Sequence, residues 1–335
     1  MIQHDPTEDS YQFVCAELFP LISHCVRTFK HEEVGTVARN SLVLLASHLR
    51  AGNRAEDVLV AVLEMSHDNS DEELRGLAVG LLNDLAECLG RSICERYVVS
   101  QLVCLCEDPS YRVRTAVAGS MNELGKVLGP ELSAKKLSPP FAKLATDSHW
   151  TVRKAAAEAL SGFVETLDGD TKNESIVSLL DKLIYDDSSW VKHAARQQLG
   201  FLIPVMTCEP PERFLDIFLH MAFDKSTVTE NKDAFVHVSY CLSAVLKTTA
   251  SATGQLMENY TEKILDLMTE CSQCAYSEAK RSIAAQLHEI ANTVDHDNIL
   301  WHVLPAVEAL LQDHQDAQIF GALMKSLPKI LEKLA

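Results

Sequence analysis

Apolar residues recur at steps of three and four along most of the chain, and this spacing is typical of amphipathic helices. One stripe consists of Val152, Ala155, Ala156, Ala159, Leu160, Phe163, Val164 and Leu167. The next stripe consists of Ile176, Leu179, Leu180, Leu183 and Ile184. Such stripes alternate along the chain and predict pairs of helices, A and B, joined by short turns. A single hairpin cannot bury both of its stripes, so the hairpins must stack on one another.

The hairpins repeat in sequence as well as in pattern, because the segments 105–128, 144–167 and 183–206 align without gaps. Their central valines, Val113, Val152 and Val191, are each 39 residues apart. Three further positions recur around each valine. They are an aspartate five residues before it (Asp108, Asp147, Asp186), a basic residue directly after it (Arg114, Arg153, Lys192) and an alanine three after it (Ala116, Ala155, Ala194). This periodicity predicts a repeat protein.

The repeat extends more weakly in both directions and predicts an all-α protein, an α-solenoid (α–α superhelix) of about eight helical hairpins. We expect residues 1–10 to be a flexible N-terminus and residues 11–335 to be one continuous solenoid, because no Gly/Ser-rich linker interrupts it. The predicted units are approximately 11–50, 55–90, 91–129, 130–168, 171–207, 210–252, 255–294 and 297–335. The last three are the least regular in sequence.

The recurrent aspartates and basic residues are interpreted as structural ties, because a catalytic group need occur only once in a protein. Asp108, Asp147 and Asp186 are expected to cap helix B or to pair with Arg114, Arg153 and Lys192 as a ladder between neighbouring units. We expect Asp147→Ala to cost about 1 kcal/mol through lost capping.

Aromatic residues stand at or next to one repeat position, at the start of helix B. The candidate protein-binding ridge comprises Tyr111, Arg112, Trp150, Thr151 and Trp190. Partly exposed tryptophans of this kind are good interface anchors. The alternative is that each ring folds over its own hairpin, since tryptophan is often mostly buried with one edge in water.

Composition narrows the choice of partner. The chain carries 47 acidic and 30 basic residues, a formal net charge of −17, so neither nucleic acid nor an anionic membrane is an expected partner. No run of about 18 apolar residues predicts a membrane span, and the polar N-terminal sequence is not a targeting peptide. Cysteines within apolar patterns, such as Cys88, Cys104, Cys106 and Cys241, are expected to be small buried hydrophobes in a reducing compartment. These features predict a cytoplasmic location, extending to the nucleus.

No motif indicates catalysis, a metal or a cofactor. Helical-repeat hydroxylases with a di-iron centre use His-Glu pairs, but His31-Glu32 and His288-Glu289 lie at unrelated phases of the repeat. Cys271 and Cys274 lack a second pair at zinc spacing. Phosphate-binding loops and the Gly-x-Ser-x-Gly elbow are absent. We therefore expect no enzyme activity, no metal and no cofactor.

The signature D-x-x-x-x-V-R-x-A resembles the HEAT repeat of the phosphatase 2A scaffold class. The resemblance is best over residues 91–207, in the stretches DPSYRVRTAVAG, LATDSHWTVRKAAAEAL and LIYDDSSWVKHAARQQLGFLIP. These stretches are similar to repeats of regulatory subunits of phosphatases of the 4/2A type. The departures are Lys192 in place of arginine, a start almost at the first repeat, and an end within helical sequence. In phosphatase 2A scaffolds the catalytic subunit docks on the C-terminal repeats, so that surface is expected to differ here.

The resemblance implies a scaffold that binds a phosphoprotein phosphatase catalytic subunit and further regulatory or substrate proteins, without hydrolysing phosphate itself. Two alternatives remain. One is another HEAT-repeat adaptor, in transport or on the cytoskeleton, although tubulin-binding HEAT domains usually present basic turns and transport receptors are longer. The other, the weaker of the two, is a di-iron HEAT-repeat hydroxylase.

Overall fold

The computed structural model describes residues 13–28, 32–49, 55–222, 230–252, 254–313 and 315–334, and all their regular structure is helical. The chain divides into two compact units, Met1–Val191 and Lys192–Ala335. The fold is an α-solenoid of helical hairpins, as the sequence predicts. The predicted N-terminal tail lies outside the described residues, and the single uninterrupted domain stays a prediction.

Helices with odd numbers are the A arms of the hairpins and those with even numbers are the B arms. The first unit contains α1 (Phe19–Thr28), α2 (Glu32–Leu49), α3 (Ala55–Ser66), α4 (Glu72–Leu89), α5 (Val99–Leu105), α6 (Tyr111–Leu128), α7 (Ser138–Leu144), α8 (Trp150–Glu165), α9 (Gly169–Ile184) and the start of α10 (Ser189–Val205). The second contains the rest of α10, α11 (Glu212–Met221), α12 (Glu230–Ser251), α13 (Gln255–Gln273), α14 (Ser277–Thr293), α15 (Leu304–Gln312) and α16 (Ala317–Leu334).

The core of each unit lies where neighbouring B helices pack side by side. In the first unit α6 packs against both α4 and α8, and in the second α14 packs against both α12 and α16. The repeat valines Val113, Val152 and Val191 are fully buried, as are many aliphatic residues of the predicted stripes, including Leu160 and Ile184. The repeat positions are therefore core positions, and their burial holds the stack together.

Several A arms begin with one π-helical turn, at Val14–Leu18, Cys94–Val98, Ser133–Leu137 and Ile299–Val303. Two of these turns follow a glycine with positive φ, Gly90 at 78° and Gly129 at 81°, which ends the preceding B helix. Cys94 and Ser133 are buried 39 residues apart, and each donates to a carbonyl eight residues earlier in that B helix, at 3.3 and 3.0 Å. The same device thus fastens two successive hairpins.

The cysteines follow the expectation only in part. Cys94, Cys106, Cys241 and Cys271 are buried, and burial raises the pKa of the Cys94 and Cys241 thiols to about 11. Cys104, expected to be buried, is exposed, and Cys88 is half-buried. Cys104 lies in the last turn of α5, where its side chain faces away from the core residues Leu102 and Leu105.

Candidate protein-binding ridge

Three bidentate Arg–Asp pairs link successive hairpins of the first unit. Each arginine donates from Nε and Nη2 to both carboxylate oxygens of an aspartate 33 residues further along the chain. The pairs, with their two N–O distances, are Arg75–Asp108 (2.7 and 2.9 Å), Arg114–Asp147 (2.7 and 2.9 Å) and Arg153–Asp186 (2.6 and 2.8 Å). We call these pairs the rungs. All six side chains are largely buried.

Each rung also fixes the turn from which its arginine starts. Nη1 of Arg75, Arg114 and Arg153 donates to the carbonyl oxygen of Asp68, Asp108 and Asp147, respectively, at 2.8–2.9 Å. Every arginine therefore ties its own A–B turn to the next one. In the second unit Lys280 and Asp313 pair at 2.6 Å, again 33 residues apart. The residue 33 positions after Lys192 lies outside the described ranges.

The electrostatics of the rungs favour the charged forms. Burial by itself raises the pKa of the Asp108 and Asp147 carboxyls, but hydrogen bonds from Arg75 and Arg114 and from backbone amides outweigh it, so both pKa values are lowered. Hydrogen bonding to these aspartates raises the pKa of Arg75 and Arg114. The rungs are thus ion pairs over the physiological pH range.

The aspartates do not cap helix B, which is the first of the two roles expected for them. Oδ1 of Asp108, Asp147 and Asp186 accepts the amide of the residue two positions on, at 2.8 Å in each case, and this bond closes the turn before the helix. The caps are Ser110 for α6 and His149 for α8. Only the earlier α4 has an aspartate, Asp71, as its cap.

The ridge residues of α6 and α8 are brought together by a histidine that sequence reasoning missed. The rings of Tyr111 and His149 stack with centroids 3.9 Å apart and planes 12° apart, and the His149 and Trp150 centroids are 6.4 Å apart at 19°. The Nδ1 atom of His149 lies 2.6 Å from the Thr151 hydroxyl and accepts the Thr151 amide at 3.4 Å. The available signal was its position, because His149 aligns with the capping Ser110.

The aromatic side chains of the ridge are partly exposed, and exposure increases toward α10. Tyr111 is 38% exposed, Trp150 40% and Trp190 61%. Arg112 is exposed and pairs with Glu72 at 3.1 Å, which places one further charged pair beside the rings. Rings that folded completely over their own hairpins would not keep this much surface in water. The ridge therefore offers aromatic surface in three successive turns.

A shallow, open pocket of ≈ 480 Å³ lies beside the rung of Arg114 and Asp147, and its lining includes Cys106, Lys143 and Thr146. Arg114 and Asp147 already bond each other, and Lys143 pairs with Glu107 at 2.6 Å. The pocket walls are thus ion pairs that stabilise the stack.

The other chemical motifs do not converge into a site. Within the described ranges no three His, Cys, Asp or Glu side chains gather in a way that could hold a metal ion. His288 lies 3.2 Å from the Ser326 hydroxyl, and His31 is outside the described residues. None of the helices in the described ranges has the length and apolar composition needed to cross a membrane.

The comparisons with known proteins agree with the fold. The family of HEAT repeats matches residues 123–200, which include the α8 hairpin and the second and third rungs in part. No curated protein sequence matches the chain. Among solved structures, Kap95p, in a complex in which it binds RanGDP, is similar with a TM-score of 0.63 and 14% identity, over 97% of this chain and 43% of that one.

Kap121p is similar with a TM-score of 0.64 and 14% identity, over 91% of this chain and 31% of that one. Importin beta follows with a TM-score of 0.56, over 96% of this chain and 41% of its own length. The chain thus spans less than half the length of these solenoids. At such low identity the likeness establishes the architecture, a HEAT-type solenoid of the kind that serves as a protein-interaction scaffold.

Proposed function

We propose that the protein is a non-catalytic scaffold or regulatory subunit that binds the catalytic subunit of a serine/threonine phosphatase of the 4/2A type and organises its substrates. The observation that carries the proposal is the ridge of Tyr111, Trp150 and Trp190 at successive turns. It lies in the segment 91–207, whose repeats resemble those of serine/threonine-protein phosphatase 4 regulatory subunit 1.

The ridge has the physical properties of a docking surface. Its backbone is fixed by the rungs, so little conformational entropy is lost when a partner binds. Its rings offer large contact areas on rigid side chains, and tryptophan and tyrosine are enriched among residues that dominate binding energy. The pair of Arg112 and Glu72 at its edge supplies polar contacts of the sort found at interface rims.

In this proposal all phosphate chemistry belongs to the bound catalytic subunit, and the solenoid needs no metal or cofactor of its own. Its part is to hold the phosphatase and its substrate proteins together, which raises their effective concentration. The free thiols and the acidic composition suit the cytoplasm and the nucleus, where we expect the complex to form.

The test is affinity purification of the intact chain followed by mass spectrometry. We expect the wild-type chain to recover a phosphoprotein phosphatase catalytic subunit, and the double variant Trp150→Ala/Trp190→Ala to lose it without losing helicity. Trp301→Ala, a change at an exposed tryptophan of the other unit, is the matched control and should retain the partner. Failure of the wild-type chain to recover any such catalytic subunit would remove the phosphatase assignment.

A transport adaptor is the second candidate, and the similarity to Kap95p and Kap121p favours it. Kap95p binds RanGDP, so direct binding of purified Ran, loaded with GDP or GTP, discriminates between the candidates. Saturable binding of Ran together with absence of a phosphatase would replace the first proposal with this one.

A further inference from the structure

The most exposed large apolar side chain in the described part of the chain is Trp301, at 77%, next to Leu300 at 43%. Both lie in the π-helical turn Ile299–Val303, whose two end residues are buried in the second unit. The turn is therefore held by the core while its middle faces water. A tryptophan in this position contributes little to folding, because its ring gains almost no burial.

The helix packed against this turn presents a row of carboxylates. Glu258, Glu262, Asp266 and Glu270 follow one another at steps of four residues along α13 and are all exposed. We call them the acidic row; residues four apart lie one above the other on the same helix face. His302, directly after Trp301, lies 3.6 Å from Asp266, so the tryptophan turn adjoins the acidic row.

Basic side chains do not compensate this charge. Residues 282–324 contain neither lysine nor arginine, whereas Asp297 and Glu308 are exposed on the same arm as Trp301. The one lysine on α13 near the row, Lys263, lies over the ring of Tyr260 at 4.6 Å. Like charges four residues apart destabilise a helix, so the acidic row does not serve the stability of α13.

We propose that Leu300, Trp301 and the acidic row form a second docking surface, which binds a helical, Lys/Arg-rich segment of another protein. Basic residues at steps of four on such a helix match the roughly 6 Å rise between successive carboxylates of the row. Guanidinium groups pair with the carboxylates and stack on the indole face, and a large apolar side chain of the segment covers the rest of the ring. This surface is independent of the ridge and of the phosphatase proposal.

The first experiment measures binding of a fluorescein-labelled synthetic helical peptide, with arginine at every fourth position and leucine between, by fluorescence anisotropy. We expect Trp301→Ala to weaken binding about tenfold. We expect the double variant Glu262→Gln/Asp266→Asn to weaken it by a similar factor and to reduce its dependence on salt.

Two matched controls separate this surface from the general acidity of the chain. Glu131→Gln/Glu174→Gln removes the same charge from exposed positions of the first unit, and Trp190→Ala removes an exposed ring there. Both controls should bind the peptide like the wild-type chain. The proposal is overturned if Trp301→Ala binds normally or if the charge control weakens binding as much as the acidic-row variant.

A second readout uses Trp301 itself. Replacing Trp150 and Trp190 by phenylalanine leaves it as the sole tryptophan of the chain. Its emission should be that of a water-exposed indole in the free protein and should shift to the blue when the peptide binds. An unchanged emission on binding overturns the proposal. So does a free protein that is already blue-shifted and dimeric by sedimentation, because a second copy would then cover the ring.

Discussion

Arg114 donates to both carboxylate oxygens of Asp147, 33 residues away in sequence, and to the carbonyl of Asp108 in its own turn. One side chain thus joins two hairpins and closes the turn between α5 and α6. Because Arg114 and Asp147 are largely buried, neither has water as a ready substitute partner if the other is removed.

Asp147→Ala should therefore lower the free energy of unfolding by about 3 kcal/mol, because it leaves the Arg114 guanidinium without its buried counterion. This exceeds the cost expected from capping alone. Chemical denaturation followed by circular dichroism measures it. Glu107→Ala is the matched control, since the pair of Glu107 and Lys143 is exposed and its loss should cost less than about 1 kcal/mol. Equal effects of the two changes would contradict the buried-rung account.

The lowered pKa values of Asp108 and Asp147 predict an acid-sensitive stack. Their contribution to stability is present above the pKa of about 3.9 that they have in the unfolded chain, and it is lost as the pH falls through their lower folded-state pKa values. The variant Asp108→Asn/Asp147→Asn should be less stable than the wild type at neutral pH, and the difference should shrink in acid. Denaturation curves over this pH range check the trend; a constant difference would refute it.

His149 has two roles that two substitutions separate. His149→Ala removes both the cap of α8 and the ring stacked on Tyr111, and should cost about 1–2 kcal/mol. His149→Asn restores a good capping side chain and should recover about half of that loss, while the near-ultraviolet signal of the stacked rings stays absent. If the asparagine variant is as unstable as the alanine variant, the cap contributes nothing.

Two glycines of α6 should respond to alanine in opposite directions. A Cβ atom on Gly125 would lie 2.6 Å from Oγ1 of Thr166, which is buried and bonded to Phe163, so Gly125→Ala should destabilise by about 1–3 kcal/mol. A Cβ atom on Gly119 meets nothing within 4 Å, so Gly119→Ala should stabilise by about 1 kcal/mol through helix propensity. Thermal melts compare the two, and the same sign for both would be a failure.

The sequence was sufficient for features that every hairpin must repeat. Val113 and Val152 are core positions in any stacked hairpin, and the bidentate partner of each arginine recurs with the same period. His149 was missed because its stacking depends on where Tyr111 of the preceding hairpin lies, which spacing alone does not show. Trp301 was missed because a π-helical turn shifts the following residues around the helix, so a period of 3.6 does not tell which side chain faces water.

Every rung spans 33 residues within a repeat of 39, and this makes a whole repeat removable in frame. Deleting residues 114–152 joins Val113 directly to Arg153. In the shortened chain Arg75 keeps Asp108, Arg153 keeps Asp186, and the carbonyl of Asp108 takes over the place that belonged to Asp147. The solenoid can accordingly lose or duplicate such a module without leaving any buried charge unmatched, so the number of its hairpins is free to vary while the joints between them stay the same.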